Sequence, residues 1–85
     1  MDEKETYLEA LASKTQENMA DEAEAIKGYT EQSAIIRQIG EKYPDLAGLC
    51  EDLANKTDEL IADELNHQQK LNAMYTAITG IPAKE

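Results

Sequence analysis

One interruption governs this sequence. Between residue 5 and residue 79 the main helix breakers are Gly40 and Pro44, which flank the short segment Gly40-Glu41-Lys42-Tyr43-Pro44. On either side Ala, Leu, Glu, Lys and Gln dominate, with no Trp or Phe and little β-branched clustering, so each arm favours helix over strand. Gly40 suits a helix C-terminus and Pro44 the first turn of the next helix. Asp45 then puts negative charge where the helix dipole welcomes it. Gly28 and Gly48 weaken the pattern slightly without adding a second turn signal. Gly80 and Pro82 close the second helix and leave a short tail. The expectation is an all-α chain: helix 1 over about 5–39, a turn at 40–44 and helix 2 over about 45–79, one antiparallel hairpin domain across residues 1–85.

Both arms carry apolar residues at the 3,4 spacing of a bundle helix. The inward stripe of helix 1 reads Leu8, Leu11, Thr15, Met19, Glu22, Ile26, Tyr29, Ser33, Ile36. That of helix 2 reads Leu46, Leu49, Leu53, Thr57, Leu60, Glu64, His67, Leu71, Met74, Ile78. A hairpin of 85 residues has one apolar groove that it cannot cover alone. Pairing two copies solves this, so the expected assembly is a two-fold homodimer forming a four-helix bundle, with higher oligomers left open.

Composition removes several classes. The chain has 18 Asp and Glu against 8 Lys and Arg, a formal net charge of −10, which disfavours nucleic acid and anionic membranes as partners. Cys50 is the lone cysteine, which excludes a disulfide framework, a CxxC motif and a cysteine-rich zinc site. Apolar runs such as Ala34-Ile35-Ile36 are too short to span a bilayer. With no charged start followed by an apolar stretch, the expected location is a reducing cytoplasm.

Two residues on the inward stripe of helix 2 are out of place there. Glu64 and His67 lie one helical turn apart and project from one face. A carboxylate and an imidazole aimed at an apolar groove call for a binding partner. Glu22 supplies a third ligand type. It stands 21 residues before Tyr43, and Glu64 stands 21 residues after it, so the two are level across the hairpin. A dimer axis at that height doubles the set to four carboxylates and two imidazoles, a di-metal carboxylate site whose charge balances two divalent cations. The competing reading places Glu22 and Glu64 on a solvated acidic surface and gives His67 a local hydrogen bond. Glu24, Glu31 and Asp63 are assigned to that surface, and Cys50 to packing as a small apolar residue.

These segments carry a resemblance. Asp21-Glu22-Ala23-Glu24-Ala25-Ile26-Lys27-Gly28-Tyr29 resembles the first metal-binding helix of rubrerythrin-like and ferritin-like proteins, with Glu22, Ala25 and Tyr29 on the matching positions. Ile61-Ala62-Asp63-Glu64-Leu65-Asn66-His67 is similar to the second helix of that superfamily, with its Glu-x-x-His. The resemblance implies Glu22 as a terminal ligand, Glu64 as a metal-bridging carboxylate, His67 as a terminal nitrogen ligand and Tyr29 as a hydrogen-bond partner behind them. Typical members hold two copies of the pattern in four helices. This chain holds one, like a half-ferritin, similar in plan to two-helix encapsulated ferritins, and it lacks the four-cysteine iron domain of full rubrerythrins.

The expected cofactors are two metal ions per dimer, iron first, with Mn or Zn as alternatives, since carboxylate-rich ligation suits harder cations. The implied chemistry is that of a ferroxidase or a reductase of O2 or hydrogen peroxide. A peroxidase would draw on an external electron donor. The alternative is a non-enzymatic helical dimerisation or protein-interaction module, in which the polar groove residues set register.

Overall fold

The structure of the protein, a computed structural model, describes residues 3–82. It is all-α: helix α1 spans Glu3–Lys42, a single 3-10 turn covers Pro44–Leu46, and helix α2 spans Ala47–Thr79. The two helices lie against each other as a rod measuring 66 × 15 × 11 Å. Among the described residues no helix is long and apolar enough to cross a membrane.

The turn is made by Pro44, not by Gly40. Helix α1 runs through Gly40, and its last bond is from the Tyr43 N–H to the Ile39 carbonyl, 2.9 Å. Proline then pushes the residue before it out of the helical region, and Tyr43 sits at φ −126°, ψ 90°. Lys42 in the last turn of α1 complements the carbonyl end of the helix. At the far end Gly80 does close α2, with its N–H bonded to the Thr76 carbonyl at 3.1 Å.

Gly40 has a different task. A Cβ placed on it would meet the Cβ of Cys50 at 3.1 Å, so the missing side chain lets the two helices close up beside the turn. Cys50, Ala54 and Ile36 are buried there, and Ser33, Thr57 and, further from the turn, Thr15 are buried along the same seam. The hydroxyls of Thr15 and Thr57 donate to the carbonyls of Leu11 and Leu53, each at 2.8 Å, which satisfies them inside the seam.

This gives a clean contrast. Gly28→Ala meets nothing within 4 Å, so it should stabilise the hairpin by roughly 0.5–1 kcal/mol through helix propensity. Gly40→Ala gains the same propensity but presses on a Cβ fixed to backbone, and overpacking costs about 1–3 kcal/mol. Thermal melts of the two variants should therefore move in opposite directions; a Gly40→Ala protein as stable as Gly28→Ala would refute the close approach.

The seam corrects one part of the sequence reading. On α1 the expected stripe holds except at Leu11, which is exposed while Ala12 is half-buried. On α2 the shielded positions are Cys50, Ala54, Thr57, Ile61, Glu64, Gln68, Leu71, Tyr75 and Ile78. Leu46, Leu49, Leu53, Leu60, His67 and Met74, all expected inward, are exposed. Beside the turn the physical reason is size. Small side chains let two helices approach closely, so Cys50, Ala54 and Thr57 take the seam and Leu49, Leu53 and Leu60 are turned to its flank. Further along, Ile61, Leu71 and Ile78 continue the same row.

Exposed local ion pairs add little to this. The hydrogen bond to the Glu17 carboxylate raises the Lys14 ammonium above its ordinary lysine value, and that to Asp52 does the same for Lys56. Both pairs lie in solvent, where such contacts contribute marginally.

Candidate metal centre

Helix α1 carries Glu22 near its middle, and α2 carries Glu64 opposite it with His67 one turn further on. The structure brings these three side chains together: one ligand atom from each lies within 4.8 Å of the others. His67 Nδ1 is 3.6 Å from Glu22 Oε2 and 3.7 Å from Glu64 Oε2. Both separations exceed a good hydrogen bond. The two carboxylates are largely shielded, with side chains 23% and 19% exposed, whereas His67 is 52% exposed.

The decisive atom is Glu22 Oε2. It is buried and has no hydrogen-bond partner. A shielded carboxylate oxygen without a donor is costly, more so than a neutral acceptor. The donor set supplies a remedy. Bonds of about 2.0–2.2 Å from one cation to nitrogen or oxygen ligands allow two ligands of the same ion to stand up to about 4 Å apart. The Glu22–His67 and Glu64–His67 spacings lie inside that range, so each carboxylate can share a divalent ion with His67, and all three ligand atoms lie within 4.8 Å of one another. Ser33 Oγ is similarly buried and unpartnered, but it sits in the seam among small residues, with no ligand type beside it.

The site opens sideways. Asn18, Asp21, Glu22, His67, Lys70 and Leu71 line a cleft of about 360 Å³ on one flank of the hairpin. Asn18, Asp21 and Lys70 were not foreseen as neighbours. The helical net contains the signal: Asn18 is one turn before Glu22, and Lys70 is one turn after His67. Glu24, Glu31 and Asp63 are exposed and stand apart from the cluster. Cys50 packs in the seam with Ile36 and Ala54.

Tyr29 is half-buried two turns along α1 from Glu22. Among the described residues no hydrogen bond joins it to Glu22, and none holds the second ring nitrogen of His67. The hydrogen bond across the helices nearest the site's level is instead from Gln16 Nε2 to Tyr75 Oη, 2.9 Å, on the opposite flank from the cleft. No protein-family model, curated protein or solved structure matches this chain.

Proposed function

We propose that this chain is a metal-binding protein in which Glu22, Glu64 and His67 hold a divalent cation, with a second copy of the chain completing a two-metal site. The observation that carries the reading is the convergence of these three side chains around the orphaned Glu22 Oε2. Carboxylate oxygens with a single imidazole suit Fe(II) or Mn(II), with Zn(II) also accommodated. Doubling the set gives the ligand count of a ferritin-like di-iron bundle, and the sequence pattern at Glu22, Ala25, Tyr29, Glu64 and His67 supports the same family.

The residues divide the work by their chemistry. Glu22 and His67 each offer one ligand atom to an ion. Glu64, on the facing helix, has two oxygens and can serve one ion or link two. Tyr29, two turns along α1 from Glu22, would be the hydrogen-bond partner behind the ligands that the family resemblance implies. Two bound irons would each supply one electron, which together would reduce hydrogen peroxide to water or O2 to peroxide with protons taken from solvent. Steady peroxide turnover would require an external electron donor, since Cys50 is the chain's lone thiol and is buried.

The activity is tested by loading the protein with Fe(II) under anaerobic conditions and following consumption of added O2 or hydrogen peroxide. The loaded protein should consume oxidant well above the buffer background. A Glu64→Ala, His67→Ala double variant should fall to that background. Background consumption by a loaded wild type would refute oxidoreductase chemistry. The second reading, a helical dimerisation module without catalysis, draws its support from the exposed leucines of α2.

A further inference from the structure

The two long flanks of the hairpin differ in chemistry. One is polar and closed by cross-helix contacts: Arg37 pairs with Asp58 at 3.5 Å, and Gln16 bonds Tyr75. The other repeats every seven residues on both helices. On α2 it presents Leu46, Leu53, Leu60, His67 and Met74, and on α1 it runs through Leu11, Asn18 and Ile39. Asn18 and His67 line one cleft, which fixes these two rows on the same side.

We propose that this second flank, centred on Leu53, Leu60, His67 and Met74, is the surface that a second copy of the chain covers. The proposal deepens the metal reading and rests on it for the identity of the occupant. Three observations point to a copy of the same chain. First, the cleft of the metal site opens on this flank, so Glu22 and the half-exposed His67 line the surface presented to whatever docks there. A two-fold axis at that level presents each site with a second Glu/Glu/His set.

Second, the border of the flank is of mixed sign: Lys14, Lys56 and Lys70 stand there with Asp21 and Asp63, Lys14 being paired with Glu17 and Lys56 with Asp52. Two chains of net charge −10 repel, and lysines along this border reduce that repulsion. Third, the area is adequate. The rod is 66 Å long and 15 Å wide, a silhouette of about 1,000 Å², which leaves room for the roughly 800 Å² per partner of a standard stable interface.

The test uses two leucines of similar exposure on opposite flanks, Leu60 at 41% and Leu65 at 46%. Sedimentation of the full chain should give the mass of two copies or an even multiple. Leu60→Glu should weaken association at least about 100-fold, the scale of a hot-spot loss, while Leu65→Glu should leave it unchanged. A monomeric wild type, or disruption by Leu65→Glu and not by Leu60→Glu, would overturn the proposal. Because a hairpin this small depends on its partner for stability, a milder pair is decisive too. In a Cys50→Ser background the Leu60→Cys thiol should be alkylated at least about tenfold more slowly than the Leu65→Cys thiol; equal rates contradict it. Both readouts are taken with and without metal. A dimer on this flank that binds no ion removes the metal reading alone, whereas metal-bound protein associating through the other flank removes this proposal alone.

Discussion

Added Fe(II), Mn(II) or Zn(II) should raise the melting temperature of the metal-free protein by about 10–20 °C. Metal binds the folded site and not the unfolded chain, so free ion at 100 times its dissociation constant adds about 2.7 kcal/mol per site. For a domain of this length 1 kcal/mol moves the midpoint by about 4–8 °C. The effect arises at Glu22 Oε2, whose desolvation is already borne in the metal-free fold without a compensating donor. The Glu64→Ala, His67→Ala variant loses two of three ligand atoms and should shift by less than about 2 °C, under 0.5 kcal/mol. An equal shift in that variant would mean that the ions act on the acidic surface at large and not at the cluster.

The second large effect has the opposite sign for function and for stability. Glu22→Leu combined with Glu64→Leu should make the metal-free protein more stable while abolishing the metal-induced rise. Both side chains are about four-fifths shielded between the helices, in line with the half-buried Met19, Ile26, Ile61 and Leu71. Replacing shielded charges with well-packed apolar residues is neutral or stabilising by about 1–4 kcal/mol. Partial solvent access trims that range, so a gain of roughly 1–3 kcal/mol is expected, or about 5–15 °C. Differential scanning calorimetry in the presence of a chelator reads it directly. A fall in the metal-free midpoint would show that the carboxylates serve the fold, as a register device would, and not a ligand.

Much of the hairpin is legible in the sequence because its largest features are local. Pro44 excludes a continuous helix on stereochemical grounds, and the good helix formers that dominate each side leave little else to choose. The level of Glu22 and Glu64 is legible for a related reason. An antiparallel pair must place residues equally far from its turn side by side, and the distances from Tyr43 are equal. What the sequence obscures is which of two stripes on α2 meets α1. Hydrophobicity favours Leu46, Leu53 and Leu60; closeness of packing favours Cys50, Ala54 and Thr57. The second criterion decides a two-helix seam, and it leaves the leucines for another surface. Gly40 misled for the same reason: its value lies in a contact with Cys50, which is remote from any reading of local propensity. His67 belongs to the flank row, so its exposure was hidden by its neighbour Glu64, which belongs to the seam.

The central claim is that Glu22, Glu64 and His67 form a metal centre. The most direct measurement is metal content by elemental analysis of protein purified from iron-supplemented cells, compared with the Glu64→Ala, His67→Ala variant prepared in parallel. The account predicts about one tightly held ion per chain, two per dimer as in a di-iron bundle, lost in the variant. Wild-type protein that carries no metal and cannot be loaded with Fe(II) or Mn(II), or a variant that retains the full complement, would contradict it.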